Sequence, residues 1–170
     1  MSEESLFILG GDFEGLSLDI LRIFVKVIYD HQDFVAKKVD AREPFEVWLQ
    51  GSVEEYLLLH PETEIVCMRE VNYGFDGKKC DFYFENPEQG LFVELKVDAA
   101  YLSREALDDA VSSLGDLCND RQVEGIVVYL GTHFLEEMAC PRKKLLLGYN
   151  KQGSPKAVDV FLMPIRVTQS

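Results

Sequence analysis

Two acidic residues and a lysine, Asp81, Glu94 and Lys96, are the residues of this sequence whose types and spacing best fit a chemical site. They lie on the two arms of a predicted β-hairpin, residues 79–97, in which aromatic and β-branched residues alternate with polar ones. A turn containing proline and glycine, residues 86–90, joins the arms. Neighbouring carboxylates suit a hard divalent cation, and a lysine beside such a cation can hold a phosphate or orient a water molecule.

The length of the turn predicts the register of the hairpin. If Glu85 pairs with Gly90, Asp81 lies opposite Glu94. Side chains alternate between the faces of a strand, so one face is predicted to be apolar and to pack in the core: Cys80, Phe82, Phe84, Leu91, Val93, Leu95 and Val97. The other face carries Asp81, Tyr83, Glu85, Phe92, Glu94 and Lys96. Opposed like charges destabilise a sheet, and a bound cation would offset that repulsion.

A second interpretation of the same face needs no cation. Alternating polar residues are normal on the solvated face of an antiparallel sheet. Lys96 would then neutralise Glu94 as a surface ion pair of little energetic consequence. The two interpretations differ in whether Asp81 and Glu94 are held together at a shielded position.

The hairpin resembles the core motif of the PD-(D/E)XK nuclease superfamily, whose members share the restriction-endonuclease-like fold. The family pattern is an acidic residue on one strand, followed by acid-any-lysine on the next strand. Asp81 matches the first acid, and residues 94–96 (Glu-Leu-Lys) match the second element. Cys80 stands where the name-giving proline would be, a departure that many members share. The resemblance covers approximately residues 43–131.

The resemblance implies an endo- or exonuclease that hydrolyses phosphodiester bonds of DNA or RNA with Mg²⁺ or Mn²⁺. Asp81 and Glu94 would hold one or two metal ions, with help from the backbone carbonyl of Leu95. Lys96 would orient or deprotonate the attacking water and stabilise the pentavalent phosphorus. We therefore expect these four residues to form the catalytic and metal site.

The family also implies a further carboxylate on a helix that precedes the hairpin. Glu54 ranks first for this role, because its position 27 residues before Asp81 suits one helix end plus one strand. Glu46 and Glu55 lie on the same predicted helix and are rivals for the same place.

Hydrophobic periodicity predicts the elements that position these residues. In chain order they are a helix from Leu18 to the mid-thirties, a helix over 44–60, a strand over 64–73, the hairpin, a helix from Ser103 to Cys118, a buried strand over 125–131, and strands over 144–149 and 157–165. Helix, three-strand meander, helix and strand is the order of the restriction-endonuclease-like core. We therefore expect an α/β fold in three layers, with a mixed sheet in which a parallel strand follows a crossover helix.

The chain length of 170 residues suits one domain. Its core would lie at approximately residues 43–131, preceded by a helical segment, 1–40, and followed by a strand pair, 142–167. No apolar run approaches the ~20 residues needed to span a bilayer, and the first residues are acidic. We expect a cytoplasmic protein without membrane association, and the oligomeric state is left open, a dimer included.

The net charge of −13 argues against a broad nucleic-acid-binding surface, because such surfaces are basic. Local basic groups are the expected contacts to nucleic acid: Lys78, Lys79, Arg142, Lys143 and Lys144. The same acidity favours an alternative function, a catalytically silent binding or regulatory module on the same fold, for example a toxin-neutralising protein with a basic partner. The four cysteines lack zinc-site spacing, and we expect them to be reduced.

Overall fold

The computed structural model describes residues 12–72, 79–98, 104–132 and 141–167. Within these ranges the α-helices are α1 (Gly15–Asp30), α2 (Gln32–Asp40), α3 (Glu46–Leu59) and α4 (Arg104–Arg121), and a 3-10 turn spans Pro61–Thr63. The strands are β1 (Val66–Asn72), β2 (Lys79–Glu85), β3 (Gly90–Asp98), β4 (Glu124–Gly131), β5 (Lys143–Lys151) and β6 (Ser154–Val167). Of the predicted site residues, Lys78 lies outside the described ranges, as does Cys140.

The strands form one mixed sheet in the order β1-β2-β3-β4-β6-β5. Strands β3 and β4 are parallel and are connected through helix α4, whereas every other neighbouring pair is antiparallel. The predicted α/β class, the meander β1-β2-β3 and the parallel strand after a helix are therefore confirmed. The two C-terminal strands extend the sheet beyond β4, with β6 placed between β4 and β5.

Two apolar clusters cover the two faces of the sheet, which gives three layers. Helices α1, α2 and α3 pack with alternate sheet residues that include Phe82, Val93 and Val128. Helix α4 packs on the other face, where the cluster includes Phe92 and Val127. Strand β4 carries buried residues on both faces and is a nearly continuous apolar run, as central strands are, whereas β3 is continuously apolar and buried only over residues 91–93.

The hairpin has the predicted register. Glu85 pairs with Gly90 and Phe82 pairs with Val93. The Asn86 side chain stabilises the turn, since its Oδ1 accepts hydrogen bonds from the backbone N–H groups of Glu88 and Gln89 at 2.9 and 2.7 Å. A local Asx interaction of this kind is the reason that asparagine favours turns.

The first predicted helix is in fact two helices, so that prediction was wrong in its extent. The backbone of His31 is not helical (φ −122°, ψ 33°), and α1 ends at Asp30, immediately before His31. Its N–H bonds to the carbonyls of Val27 and Ile28, and its ring nitrogen Nδ1 also lies 3.0 Å from the Val27 carbonyl. The apolar periodicity continues through the break into α2, so periodicity alone does not reveal it. None of the helices in the described ranges is long and apolar enough to cross a membrane.

Candidate active site

Asp81 and Glu94 lie together where the pairing of β2 and β3 ends. The last pair of the ladder is Phe82 with Val93. Beyond it, the backbone N–H of Asp81 donates to Oε2 of Glu94 at 3.3 Å. The backbone N–H of Leu95 donates to Oδ2 of Asp81 at 2.8 Å. Each carboxylate is thus held by the backbone of the opposite strand, and the predicted proximity of the two carboxylates is confirmed.

The alternation of side chains along β2 breaks at this point. Phe82 packs in the cluster beneath α1, α2 and α3, whereas Cys80 packs in the cluster beneath α4. The Cys80 thiol is 3.4 Å from the carbonyl of Phe82 and 3.3 Å from that of Val93. On the neighbouring strand, Glu70 has a left-handed backbone (φ 52°). The prediction that Cys80 shares a core face with Phe82 was therefore wrong, because the strands are locally distorted where Asp81 turns towards α3.

The two carboxyl groups are electrostatically strained. Burial raises the pKa of Asp81, and bonds from the Leu95 N–H and the charge of Lys96 act against that rise. Burial and the nearby Asp81 charge raise the pKa of Glu94 to about 7. The Lys96 Nζ lies 3.6 Å from Oε1 of Glu94 and partly offsets the effect. The Glu94 side chain is 14% exposed, so its carboxyl is shielded and not on a solvated sheet face, while the Lys96–Glu94 ion pair of the second interpretation is present.

Glu46 is the helix carboxylate that reaches the site. Its Oε2 accepts a hydrogen bond from the backbone N–H of Val97 at 3.3 Å, next to Lys96 on β3. Burial raises the pKa of Glu46, and the Asp81 charge raises it further. Three carboxyl groups from α3, β2 and β3 are therefore electrostatically linked.

The first-ranked helix carboxylate, Glu54, is placed elsewhere, so that ranking was wrong. Its Oε1 lies 3.8 Å from Nη1 of Arg69, and its side chain is 39% exposed. Glu55 is exposed on the helix surface. Glu54 is two turns beyond Glu46, about 12 Å along the helix axis. The start of α3, and not its end, meets the carboxylates of the hairpin.

Gln50 is a site residue that the sequence analysis missed. It follows Glu46 by one helical turn and is 5% exposed. Its Oε1 accepts a hydrogen bond from Nη2 of Arg69 at 3.0 Å. Its side chain also interacts with Asp81 and lowers the pKa of that carboxyl. The sequence did contain a signal for Gln50. It lies four residues after Glu46, and residues at this spacing are neighbours on one face of a helix.

The donor set fits a hard cation in its chemistry, although it is not a closed metal cage. No three His, Cys, Asp or Glu side chains converge as a ligand cluster in the part of the chain that the structure describes. Asp81 and Glu94 are the neighbouring oxygen donors, and both are more basic than ordinary carboxylates. Leu95, expected to offer its carbonyl, contributes its N–H to Asp81. Asp81 and Glu94 are therefore the residues that could hold a cation, and Glu46 is in electrostatic reach of Asp81.

The predicted nucleic-acid contacts differ in how available their charges are. Lys79 lies at the start of β2 with Nζ 3.7 Å from Oε2 of Glu70. Lys144 pairs with Asp159 at 3.5 Å. Arg142, immediately before β5, is exposed. Ion pairing thus reduces the charge that two of these groups can offer to a phosphate.

Lys143 stands apart from these groups because it is buried, at 8% exposed, and burial lowers the pKa of its ammonium. Lys143 pairs with Leu162, Leu162 with Leu130, and Leu130 with Val97. It is therefore in the same row as Val97, three strand spacings away, or about 14 Å. This row places the start of β5 at the same end of the sheet as the carboxylates.

The chain matches no protein-family model. It likewise matches no curated protein and no solved structure. Its function is therefore inferred from the geometry and chemistry of its own site.

Proposed function

We propose that this chain is a metal-dependent phosphodiesterase acting on DNA or RNA, centred on Asp81, Glu94 and Lys96. The observation that supports it most is the pair of shielded carboxylates held together at the open end of β2 and β3. A lysine lies 3.6 Å from one of them. Burying like charges side by side costs free energy, and a bound cation would recover that cost.

Asp81 and Glu94 would hold Mg²⁺ or Mn²⁺, and Glu46 would complete the acidic set. Such an ion, when bound, lowers the pKa of its water and neutralises charge that develops on the phosphate. The chain prepares the site for it through the backbone bonds that fix Asp81 and Glu94. Because these bonds come from opposite strands, the separation of the two carboxylates is set by the sheet.

Lys96 would orient the attacking water and stabilise negative charge on the phosphorus oxygens. A lysine ammonium is a compact charge with three rotatable donors. It lies on the same strand as Glu94, two residues further on, and its side chain is 29% exposed. It can therefore contact both the acidic pair and a substrate that approaches from solvent.

The restriction-endonuclease-like fold is part of the proposal. It is supported by the order of elements: α3, the meander β1-β2-β3, the crossover helix α4 and the parallel strand β4. It is supported as well by the place of the carboxylates, which lie on the central hairpin with a helix acid beside them.

Single-turnover cleavage of single-stranded and duplex DNA and RNA with Mg²⁺ or Mn²⁺ tests the proposal. Lys96→Ala should keep the fold and the stabilisation by metal, but should lose cleavage by about 100-fold or more. Lys26→Ala is the matched control, because Lys26 forms an exposed pair with Asp30 on α1. A wild-type protein that cleaves none of these substrates and gains no thermal stability from either metal would contradict the proposal.

A second candidate function is an acidic binding module that neutralises a basic protein. It is favoured by the net charge of −13 and by the pairing of basic side chains with acids, such as Lys144 with Asp159 and Lys151 with Asp40. Complementary charge speeds association. Strong dependence of the association rate on salt, with no metal-linked stabilisation, would select this function over the nuclease.

A further inference from the structure

We propose that Gln50 is a positioning residue that fixes the Asp81 carboxylate for cation binding, and that Arg69 holds Gln50 in the required orientation. This inference rests on the proposed cation site. It adds two residues, from α3 and β1, that neither the hairpin motif nor the acidic set includes.

The geometry connects three elements through one amide. Gln50 is almost fully buried between α3 and the sheet. Its Oε1 accepts from Nη2 of Arg69 at 3.0 Å, and its side chain interacts with the carboxylate of Asp81. Asp81 in turn accepts from the backbone N–H of Leu95 at 2.8 Å. Asp81 is thus held by β3. Arg69 pairs with Phe82, the neighbour of Asp81, in the ladder of β1 and β2, so the Gln50 amide that Arg69 binds lies beside Asp81.

Arg69 decides which end of the amide meets Asp81. A guanidinium has donors only, so it requires the oxygen of Gln50. The NH₂ group of the amide is then left for the carboxylate, which has acceptors only. The reverse orientation would set an oxygen of Gln50 against an oxygen of Asp81. Arg69 therefore acts on Asp81 through Gln50.

The position of Arg69 is consistent with this role. Its guanidinium lies over α3, with Nη1 3.8 Å from where a Cβ on Gly51 would be. Its contact with Glu54 is longer than its bond to Gln50, 3.8 against 3.0 Å. Its Nε is buried and has no hydrogen-bond partner among the residues that the structure describes. Gln50 is thus the closer of the two acceptors, and loss of Glu54 should leave the orientation of the amide intact.

The test is the affinity for Mn²⁺, measured by calorimetry and by metal-linked thermal stabilisation of the whole chain. Gln50→Met keeps the length of the side chain and removes the amide, and it should weaken Mn²⁺ binding about 10- to 100-fold. Arg69→Met should weaken it less, because the amide remains but is free to rotate. The double variant should be no weaker than Gln50→Met, since Arg69 acts through Gln50. Glu54→Gln is the control and should bind like the wild type.

Cleavage provides a second readout. In Gln50→Met, a higher Mn²⁺ concentration should restore kcat, because the loss is in metal affinity and not in the chemical step. Wild-type affinity in Gln50→Met would overturn the inference, as would losses that add in the double variant. If Gln50→Met does not fold, wild-type affinity in Arg69→Met overturns it. A wild type that binds no Mn²⁺ overturns the proposed function itself, which distinguishes the two failures.

Discussion

The Glu94 carboxyl links the site to the stability of the fold. Burial and the Asp81 charge raise its pKa from 4.5 to about 7. The folded state therefore holds a proton on Glu94 at pH values where the unfolded chain has lost it. This contribution to stability is fully present below the unfolded pKa and is lost as the pH rises through the folded pKa.

We predict that the free energy of unfolding falls between about pH 4.5 and 7, by at most about 3 kcal/mol from this group. Glu94→Gln should flatten the dependence on pH in that window, and urea unfolding at several pH values measures it. Metal must displace the proton from Glu94, so Mn²⁺ affinity of the wild type should rise over the same window. A wild-type stability that does not change across it would contradict the raised pKa.

Asp81→Asn should stabilise the metal-free fold at pH 7.5 and abolish binding of metal. The substitution removes one of two opposed charges but keeps an oxygen for the Leu95 N–H, which is bonded at 2.8 Å. Asp81→Ala should be less stable than Asp81→Asn by about 1 to 3 kcal/mol, because that N–H loses its partner. Chemical denaturation of both variants, with and without Mn²⁺, measures the difference. Equal stability of the two variants would show that the bond contributes nothing.

At the scale of elements, the hairpin places Asp81 and Glu94 side by side, and helix α3 adds further polar side chains to them. The turn at Asn86 sets the register, and the register sets the neighbours of Asp81 and Glu94. A slip by one residue would move every side chain to the opposite face. Helix α3 then brings Glu46 and Gln50 to the carboxylates from the adjacent layer.

Asn86→Ala should lower the free energy of unfolding by about 1 kcal/mol, because two backbone N–H groups lose their acceptor. Glu88→Ala, in the same turn, is the control. Its side chain is exposed, and it should change stability by less than about 0.5 kcal/mol. Equilibrium urea unfolding of the two variants decides between these outcomes.

At the scale of the whole molecule, the proposed function requires an acidic chain to bind a polyanion at the end of its sheet. The row from Val97 to Lys143 brings the start of β5 to the same end as the carboxylates. Lys143 projects from the face that packs beneath helices α1, α2 and α3, as do Leu145 and Leu147. Its long apolar stem can be buried while its ammonium reaches the surface.

Replacing Arg142, Lys143 and Lys144 together with alanine should weaken nucleic-acid binding and flatten its dependence on salt. Each phosphate contact that is lost should reduce the salt slope by roughly 0.7 to 0.9. Lys143→Met preserves the buried stem, and Lys144 is already paired with Asp159, so Lys143→Met should have a larger effect than Lys144→Met. Binding of labelled oligonucleotides at several salt concentrations measures the slopes. Salt slopes that these substitutions leave unchanged would show that the substrate contacts other parts of the protein.

Local pattern by itself determined the elements, the meander and the register that makes neighbours of Asp81 and Glu94. Strand alternation and turn chemistry act within a few residues, so they can be read from the sequence. The break at His31 and the reversal at Cys80 could not be read in this way. In both places the apolar pattern continues, while the backbone departs from regular geometry.

Only the tertiary structure decided which helix acid joins the site and which polar residues support it. The number of residues between Glu54 and Asp81 limits how far apart they can lie. The path of the chain through the 3-10 turn and β1 determines where Asp81 lies relative to α3. The packing of α3 on the sheet then brings its first turn, with Glu46, to the carboxylates. Gln50 and Arg69 meet across 19 residues of sequence. Such contacts depend on how layers pack, and spacing along the chain does not specify them.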